Sequence, residues 1–317
     1  MIYIDMNGRC GNQFFQYAFA KKLSILNGNM PMTIDFFHVD RWRKKTGFSD
    51  YSDQLKFFNV TPFTELIETG DTLAKYGSAK DNKRRRDYGK ARTLSKKTGL
   101  PIFANFWQSS MQKHGIYRDD QYKIKPRKCD GENIFIKGYF EDPAYFDDMK
   151  DVLYAEFTPK NPPKEKNKEL YDIINNRESV CVSFRVWNDI ADDEEETKAR
   201  SVCDEKYYKA ALDKMKELHH DAVFIVFSND VSWVRENFEF PGSVYFEDGT
   251  DEIWEKIRMM YSCKHFIMST STFCWWAQYL CRNKQKTVIS PDHWTNDDKR
   301  PSKLLMDEWI KIPSLKD

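Results

Sequence analysis

Apolar and polar positions alternate in blocks along the chain. An apolar run from Ile2 to Met6 gives way to Asn7-Gly8-Arg9-Cys10-Gly11-Asn12-Gln13, after which Phe15, Ala18, Phe19, Leu23 and Leu26 recur every three or four residues. This pattern predicts a strand, a tight glycine-bearing loop and a helix. Met32 to Asp35 predicts a second strand, and Ile134 to Tyr139 another. Between about 40 and 130 the periodicity is weak. The basic run Lys83-Arg84-Arg85-Arg86-Asp87 in that stretch reads as a solvated helix face or a loop.

The second half is more regular. Strands are expected over Val180–Phe184, Ala222–Phe227, Val244–Phe246, Phe266–Met268 and Thr287–Ser290. Helices are expected where Tyr208, Ala211, Leu212, Met215 and Leu218 form a stripe, over Ser232–Phe238, around Ile253, Ile257, Met260 and Tyr261, and over Phe273–Leu280. Strands alternating with helices predict a parallel α/β layer. Ligands of such sheets bind outside the carboxyl ends of the strands. Arg185, Ser228, Asn229 and the hydroxyl cluster Ser269–Thr272 fall there. Pro159, Pro162 and Pro163 break any element between the halves, so the boundary is expected between a domain of residues 1–158 and one of residues 159–317.

Composition narrows the function classes. The chain has 317 residues, enough for roughly two domains, and 40% of them are apolar. A net charge of +1 gives no reason to expect nucleic acid or an anionic membrane as partner. No stretch approaches the roughly 20 apolar residues of a membrane span, and Met1 to Met6 lacks the features of a signal peptide. The seven cysteines are scattered, without a C-x-x-C pair, and read as free thiols in a reducing compartment rather than as a zinc site or a disulfide framework. The acidic run 192–196 reads as a solvated loop, and no metal is expected.

Three segments could carry chemistry. In Lys264-His265-Phe266-Ile267-Met268-Ser269-Thr270-Ser271-Thr272-Phe273-Cys274-Trp275-Trp276, a strand ends on four hydroxyl residues just before a helix begins. Free backbone N–H groups and the helix dipole at such a point suit a phosphate, and a simple helix cap is the alternative. In Ser183-Phe184-Arg185-Val186-Trp187-Asn188-Asp189, the planar fork of Arg185 suits a diphosphate. A salt bridge to Asp189, Asp192 or Asp193 is the alternative there. Ser228-Asn229-Asp230 follows another apolar strand and could also cap the next helix. Near the N-terminus, Gly8-x-x-Gly11 is not the dinucleotide fingerprint, and the carboxamides of Asn12 and Gln13 could hold a hydroxylated ligand or cap the helix.

Six blocks in register resemble one family. Gly8-x-x-Gly11-Asn12-Gln13-x-Phe15-Gln16-Tyr17-Ala18-Phe19-Ala20 resembles the N-terminal signature of the bacterial α-1,2-fucosyltransferases. Lys137-Gly138-Tyr139-Phe140-Glu141 with Tyr145-Phe146, Cys203 with Tyr207-Tyr208, and Phe227-Ser228-Asn229-Asp230 with Trp233 are similar to later elements of that family. So are Cys263-Lys264-His265 through Trp276 and Val288-Ile289-Ser290-Pro291 with Trp294. One element departs: where the family carries H-x-R-R-G-D-Y, this chain keeps Arg185 but has Ser183 for the histidine and Val186 for the second arginine. Thr270 replaces the asparagine of the N-S-S-F block.

The resemblance implies an α/β chain of the GT-B type, with two Rossmann-like domains facing a cleft. It implies an inverting transfer of L-fucose from GDP-fucose to a glycan hydroxyl, O2 of a galactoside, with neither cofactor nor metal. Arg185 would act on the leaving diphosphate. Arg185, Ser228, Asn229, Glu255, Ser269, Ser271, Thr272 and Phe273 would bind the donor, and Gly11, Asn12 and Gln13 would face the acceptor. A cytoplasmic setting follows, with room for a peripheral position at the inner face of the membrane. Two rivals remain: a catalytically impaired sugar- or nucleotide-binding homologue, and a GT-B transferase using another nucleotide sugar.

Overall fold

Eleven strands, all in parallel pairs, form two sheets in a computed structural model that describes residues 1–100, 102–120, 124–186, 194–296 and 302–314. One compact unit comprises Met1–Lys56 and Val60–Leu153, the other Phe57–Asn59 and Tyr154–Asp317. The chain passes from one to the other within the helix Lys150–Glu156, a little before the proline-rich stretch on which the sequence sets its boundary.

In the first unit, β1 (Ile2–Asp5), β2 (Met32–Asp35), β3 (Phe63–Leu66), β4 (Ile116–Arg118) and β5 (Ile134–Lys137) take the order β3-β2-β1-β5-β4. Helix α1 (Cys10–Leu26) follows β1 and is buried on almost every side: Phe14, Phe15, Tyr17, Ala18, Phe19 and Leu23 are fully covered. The apolar spacing predicts only a stripe. Buried Gln13 and Gln16 complete the covered surface because each is fully hydrogen-bonded to backbone.

The weak stretch between 40 and 130 holds α2 (Phe37–Thr46), β3, α3 (Thr72–Tyr76), α4 (Ala79–Thr98), α5 (Ile102–Lys113) and β4. Strand β3 is an edge strand with two exposed and two half-buried residues, so it carries no apolar run. The basic run lies on α4, where Lys83 pairs with Asp87, Arg84 with Asp81 and Arg85 with Asp71.

Helix α6 (Lys150–Glu156) carries the chain across, and in the second unit α7 (Lys168–Asn176) precedes β6 (Glu178–Phe184). Next come α8 (Glu194–Arg200), α9 (Glu205–Leu218), β7 (Ala222–Ser228), α10 (Val231–Asn237), β8 (Val244–Phe246) and α11 (Ile253–Ser262). The chain continues through β9 (His265–Ile267), α12 (Thr272–Leu280), β10 (Val288–Pro291) and β11 (Ile310–Ile312). The sheet order is β11-β10-β9-β6-β7-β8. Successive strands run outward from β6 on one side and from β9 on the other, so the order reverses between β6 and β9. Ligands of doubly wound sheets bind at such a switch point. The expected α/β class with two Rossmann-like sheets is what the chain adopts.

The core under this sheet joins Val180, Val182, Phe224 and Val226 to Tyr207, Ala211, Leu212 and Met215 of α9. Strand β11 escapes the sequence reading because only three residues form it and none is fully buried. The expected loop at 192–196 is corrected in part: the chain is helical from Glu194, while Asp192 and Asp193, with Trp187, Asn188 and Asp189, lie outside the described residues. All seven cysteines are free thiols, and burial pushes Cys203 and Cys274 up to about 12. Among the described residues no helix is long and apolar enough to cross a membrane.

Candidate functional site

The switch point of the second sheet is tied together by hydroxyl groups. The Ser183 and Ser269 hydroxyls, at the ends of β6 and β9, are 2.9 Å apart and buried. Tyr207 and Tyr208 lie in the first turn of α9, which Asp204 caps by accepting the Tyr207 N–H at 2.8 Å. The Tyr207 hydroxyl donates to the Met268 carbonyl at 2.6 Å, and the Tyr208 hydroxyl donates to the Ser183 carbonyl at 3.0 Å. The Ser183 carbonyl lies two residues before Arg185, so the Tyr208 hydroxyl holds the strand end that leads into it. Burial raises both phenols well above their ordinary value and keeps them neutral donors. The sequence marks this pair only as apolar stripe and family element. The signal for their role is that both are Tyr rather than Phe at covered positions, since a buried hydroxyl needs a partner.

Arg185 is the first residue beyond β6 and is half-buried. The next residue, Val186, is held by the exposed side chain of Asn229, which lies just beyond β7. Ser228 accepts the Asp230 N–H at 2.9 Å, and Asp230 caps α10 by accepting the Trp233 N–H at 3.0 Å. The capping alternative therefore holds for Asp230, with Ser228 shaping the turn before it. A cavity of about 360 Å³ opens beside this loop, with Arg185, Asp204, Tyr208, Trp233 and Asn237 in its wall.

The hydroxyl cluster divides into two pairs. Ser269 and Thr270 are buried, Ser269 against Ser183 and Thr270 toward the Arg200 carbonyl at 3.4 Å. The hydroxyl of Ser269, expected to bind the donor, faces inward and ties the end of β9 to β6. Ser271, Thr272 and Phe273 are half-buried at the start of α12. Ser271 occupies the cap position, yet its side chain makes no capping bond, and the first turn has no acidic residue. The simple-cap alternative therefore loses its expected hydrogen bond. The N–H groups and positive dipole end of a nine-residue helix remain at the switch point.

Glu255, expected to bind the donor, lies on α11. It is fully buried, accepting from the Lys164 N–H at 2.8 Å, Asn167 Nδ2 at 3.1 Å and Arg258 Nη1 at 3.2 Å. Arg258 in turn donates to the carbonyls of Pro159 and Asn161. This pair binds the proline-rich stretch to α11.

In the first unit, Gly11, Asn12 and Gln13 form the first turn of α1, directly after the β1 loop. Gln13 is fully buried: its Nε2 donates to the Gly8 and Ser52 carbonyls at 3.1 and 2.9 Å, and its Oε1 accepts the Gln54 N–H at 3.0 Å. It braces two loops, and Gly11 is likewise buried. Asn12 is half-buried. Gly8 adopts φ +76°, and a Cβ there would stand 2.7 Å from Asn12 Nδ2, so only glycine fits this turn.

Among the described residues, two groups of side chains have metal-ligand chemistry. Glu178, His219 and His265 gather at the opposite end of the second sheet. The Thr287 N–H donates to His265 Nδ1 at 2.9 Å, so the ring proton sits on Nε2, 2.7 Å from Glu178 Oε1. A histidine ligating through Nε2 would need that proton on Nδ1, against the Thr287 N–H. Glu247, Asp248 and Asp251 form the second group. Lys256 pairs with Glu247 at 3.2 Å, Lys166 with Asp248 at 3.0 Å and Lys164 with Asp251 at 3.1 Å, so each of the three carboxylates has an ammonium partner.

The profile of a family described as Glycosyl transferase family 11 matches residues 1–313. Among relatives, the alpha-1,2-colitosyltransferase of Escherichia coli is 29% identical over 232 residues, which cover 69% of this chain and 78% of that protein. The O-antigen biosynthesis glycosyltransferase WbnK of Escherichia coli is 24% identical over 331 residues, covering 98% of this chain and 100% of that one. Among solved structures, a crystal structure of NodZ alpha-1,6-fucosyltransferase soaked with GDP-fucose aligns with 92% of this chain and 94% of its own, at 11% identity and a TM-score of 0.47.

Proposed function

The chain belongs to glycosyl transferase family 11, and from that premise we propose that it is an inverting, metal-independent fucosyltransferase. GDP-fucose is the donor and a glycan hydroxyl, O2 of a galactoside, the acceptor. The reaction belongs in the cytoplasm or at the inner face of the membrane. One observation carries the reading. Arg185 follows Ser183 by two residues and Ser271 follows Ser269 by two, and the two parent serines are bonded at 2.9 Å. A guanidinium and a helix N-terminus therefore leave the same edge of one sheet at its switch point.

The acceptor oxygen attacks C1 of the fucosyl group. The bond from C1 to the diphosphate oxygen breaks, its electron pair leaves with GDP, and the hydroxyl proton is released. Attack from the face opposite the leaving group turns the β-linked donor into an α-linked product. Charge grows on the diphosphate as it departs. Arg185 and the N–H groups at the start of α12 are preorganised donors of the kind that offset such charge, which is why a metal is not required.

Calorimetry with GDP, UDP and ADP tests the donor class: GDP binds and the other two do not. GDP release from GDP-fucose, measured with and without a panel of galactosides, tests transfer. A colitosyl donor belongs in the same assay, since one relative carries that activity in its name. A second reading, a homologue that binds GDP without turnover, is favoured by Ser183, whose hydroxyl is bonded to Ser269 where the resembled motif has a histidine. Tight GDP binding with no release from any donor would identify it.

A further inference from the structure

The carboxamide of Asn229 meets the backbone of Val186 at two points. Its Oδ1 accepts the Val186 N–H at 2.9 Å, and its Nδ2 donates to the Val186 carbonyl at 2.8 Å. The parallel ladder between β6 and β7 ends at Phe184 opposite Ser228. Beyond that point the side chain of Asn229 stands in for the missing strand and carries the pairing on to Val186. Asparagine suits this task because one planar group offers both a donor and an acceptor. Aspartate would set a carboxylate oxygen against the Val186 carbonyl, and glutamine would shift both atoms by a methylene.

Arg185 lies between this clamp and a second one. On its N-terminal side the Tyr208 hydroxyl holds the Ser183 carbonyl at 3.0 Å. The backbone of Arg185 is thus fixed before and after its own Cα, by side chains from α9 and from the end of β7. A charged group that must meet a diphosphate in one geometry binds better when its backbone is already in place, because less freedom is lost on binding.

We propose that Asn229 is a positioning residue for the donor site: it strengthens diphosphate binding by fixing the segment that carries Arg185, not by contacting the donor. The proposal rests on the donor reading above. It also revises the donor-contact role that the family resemblance suggests for Asn229.

The test is a double-mutant cycle on GDP affinity in the full chain, with Asn229→Ala, Arg185→Ala and both together. Asn229 is exposed, so its substitution leaves the core intact, which circular dichroism verifies. Asn229→Ala alone should weaken GDP binding by roughly tenfold, the scale of two lost hydrogen bonds. In the Arg185→Ala background the same change should cost less than about twofold, since the group being positioned is gone. Asn229→Asp should bind no better than Asn229→Ala. Amide exchange at Val186 without nucleotide should be slow in the wild type and faster in Asn229→Ala.

An undiminished effect of Asn229→Ala in the Arg185→Ala background would mean that Asn229 contacts the donor or supports the fold at large, and would overturn the proposal. So would Val186 exchange that ignores the substitution. A wild type that binds no GDP would instead overturn the donor reading, and the positioning role with it.

Discussion

Tyr207 and Tyr208 are adjacent in sequence, yet their hydroxyls hold two different strands, through the Met268 carbonyl at 2.6 Å and the Ser183 carbonyl at 3.0 Å. Consecutive residues of a helix point about 100° apart, which lets one turn of α9 reach β9 and β6 together. Tyr208→Phe should cost about 1–3 kcal/mol of stability, because a buried carbonyl loses its donor. It should also weaken GDP binding more than Tyr207→Phe does, since only Tyr208 holds the Ser183 carbonyl, two residues before Arg185. Urea unfolding and calorimetry on both variants check the two effects; equal GDP affinities would detach Tyr208 from the site.

Arg185→Ala should remove about 30- to 1000-fold of kcat/KM, the equivalent of roughly 2–4 kcal/mol for a charge-assisted bond to a developing diphosphate charge. Arg185→Lys should recover little, because an ammonium lacks the two-pronged geometry. Steady-state kinetics within threefold of the wild type for either variant would assign the diphosphate to other groups.

Replacing Ser271 and Thr272 together with alanine should weaken GDP binding by only about 1–3 kcal/mol, since the backbone N–H groups of α12 survive the change. Thr272→Asp should be worse, because a carboxylate at the helix start would repel a diphosphate. GDP titration of folded variants decides; a Thr272→Asp variant that binds like the wild type would reduce the α12 start to a plain helix end.

Stability should fall as the solution becomes acidic, in part through His219. Burial, then the neighbouring His265, holds its pKa below the ordinary 6.5, so the folded chain resists a proton that the unfolded chain accepts. That contribution is present above pH 6.5 and is lost as pH falls through the folded value. Glu178 acts in the same sense at lower pH, its carboxyl depressed by the hydrogen bond from His265. Melting temperatures between pH 7.5 and 5 should drop less steeply in His219→Gln than in the wild type. Parallel curves would show that the proton is taken up elsewhere.

Turnover should persist in EDTA. The charge on the leaving group is assigned to Arg185 and the α12 amides, and the Glu247, Asp248 and Asp251 carboxylates are matched by lysines. Activity lost on chelation and restored by magnesium or manganese would reverse that assignment.

The elements around the second switch point were legible because they are buried: β7 and β9 read as apolar runs ending on polar residues, and α9 as a stripe. The edge strands were not, since β3 is half exposed and β11 is three residues long. Site residues were legible as positions but not as roles. Hydroxyls and carboxamides at strand ends can face a ligand or their own backbone, and the sequence alone does not separate the two. Ser269 and Gln13 turned inward, while Ser271 is the cap residue without a capping bond. Glu255 reads as a helix carboxylate, and only the fold reveals that it meets Arg258 and the backbone of Lys164.

Phe57–Asn59 belongs to the second unit although the chain on both sides of it belongs to the first. Phe58 is fully buried and bridges Pro159, and the Asn59 N–H donates to the Thr158 carbonyl at 3.1 Å. The two halves are therefore not interchangeable cassettes. A fragment beginning at residue 159 would lack the residues that bridge to Pro159, and a chimera joined at the prolines would take them from the wrong parent. Recombination between relatives should be tolerated only when residues 57–59 travel with the C-terminal half.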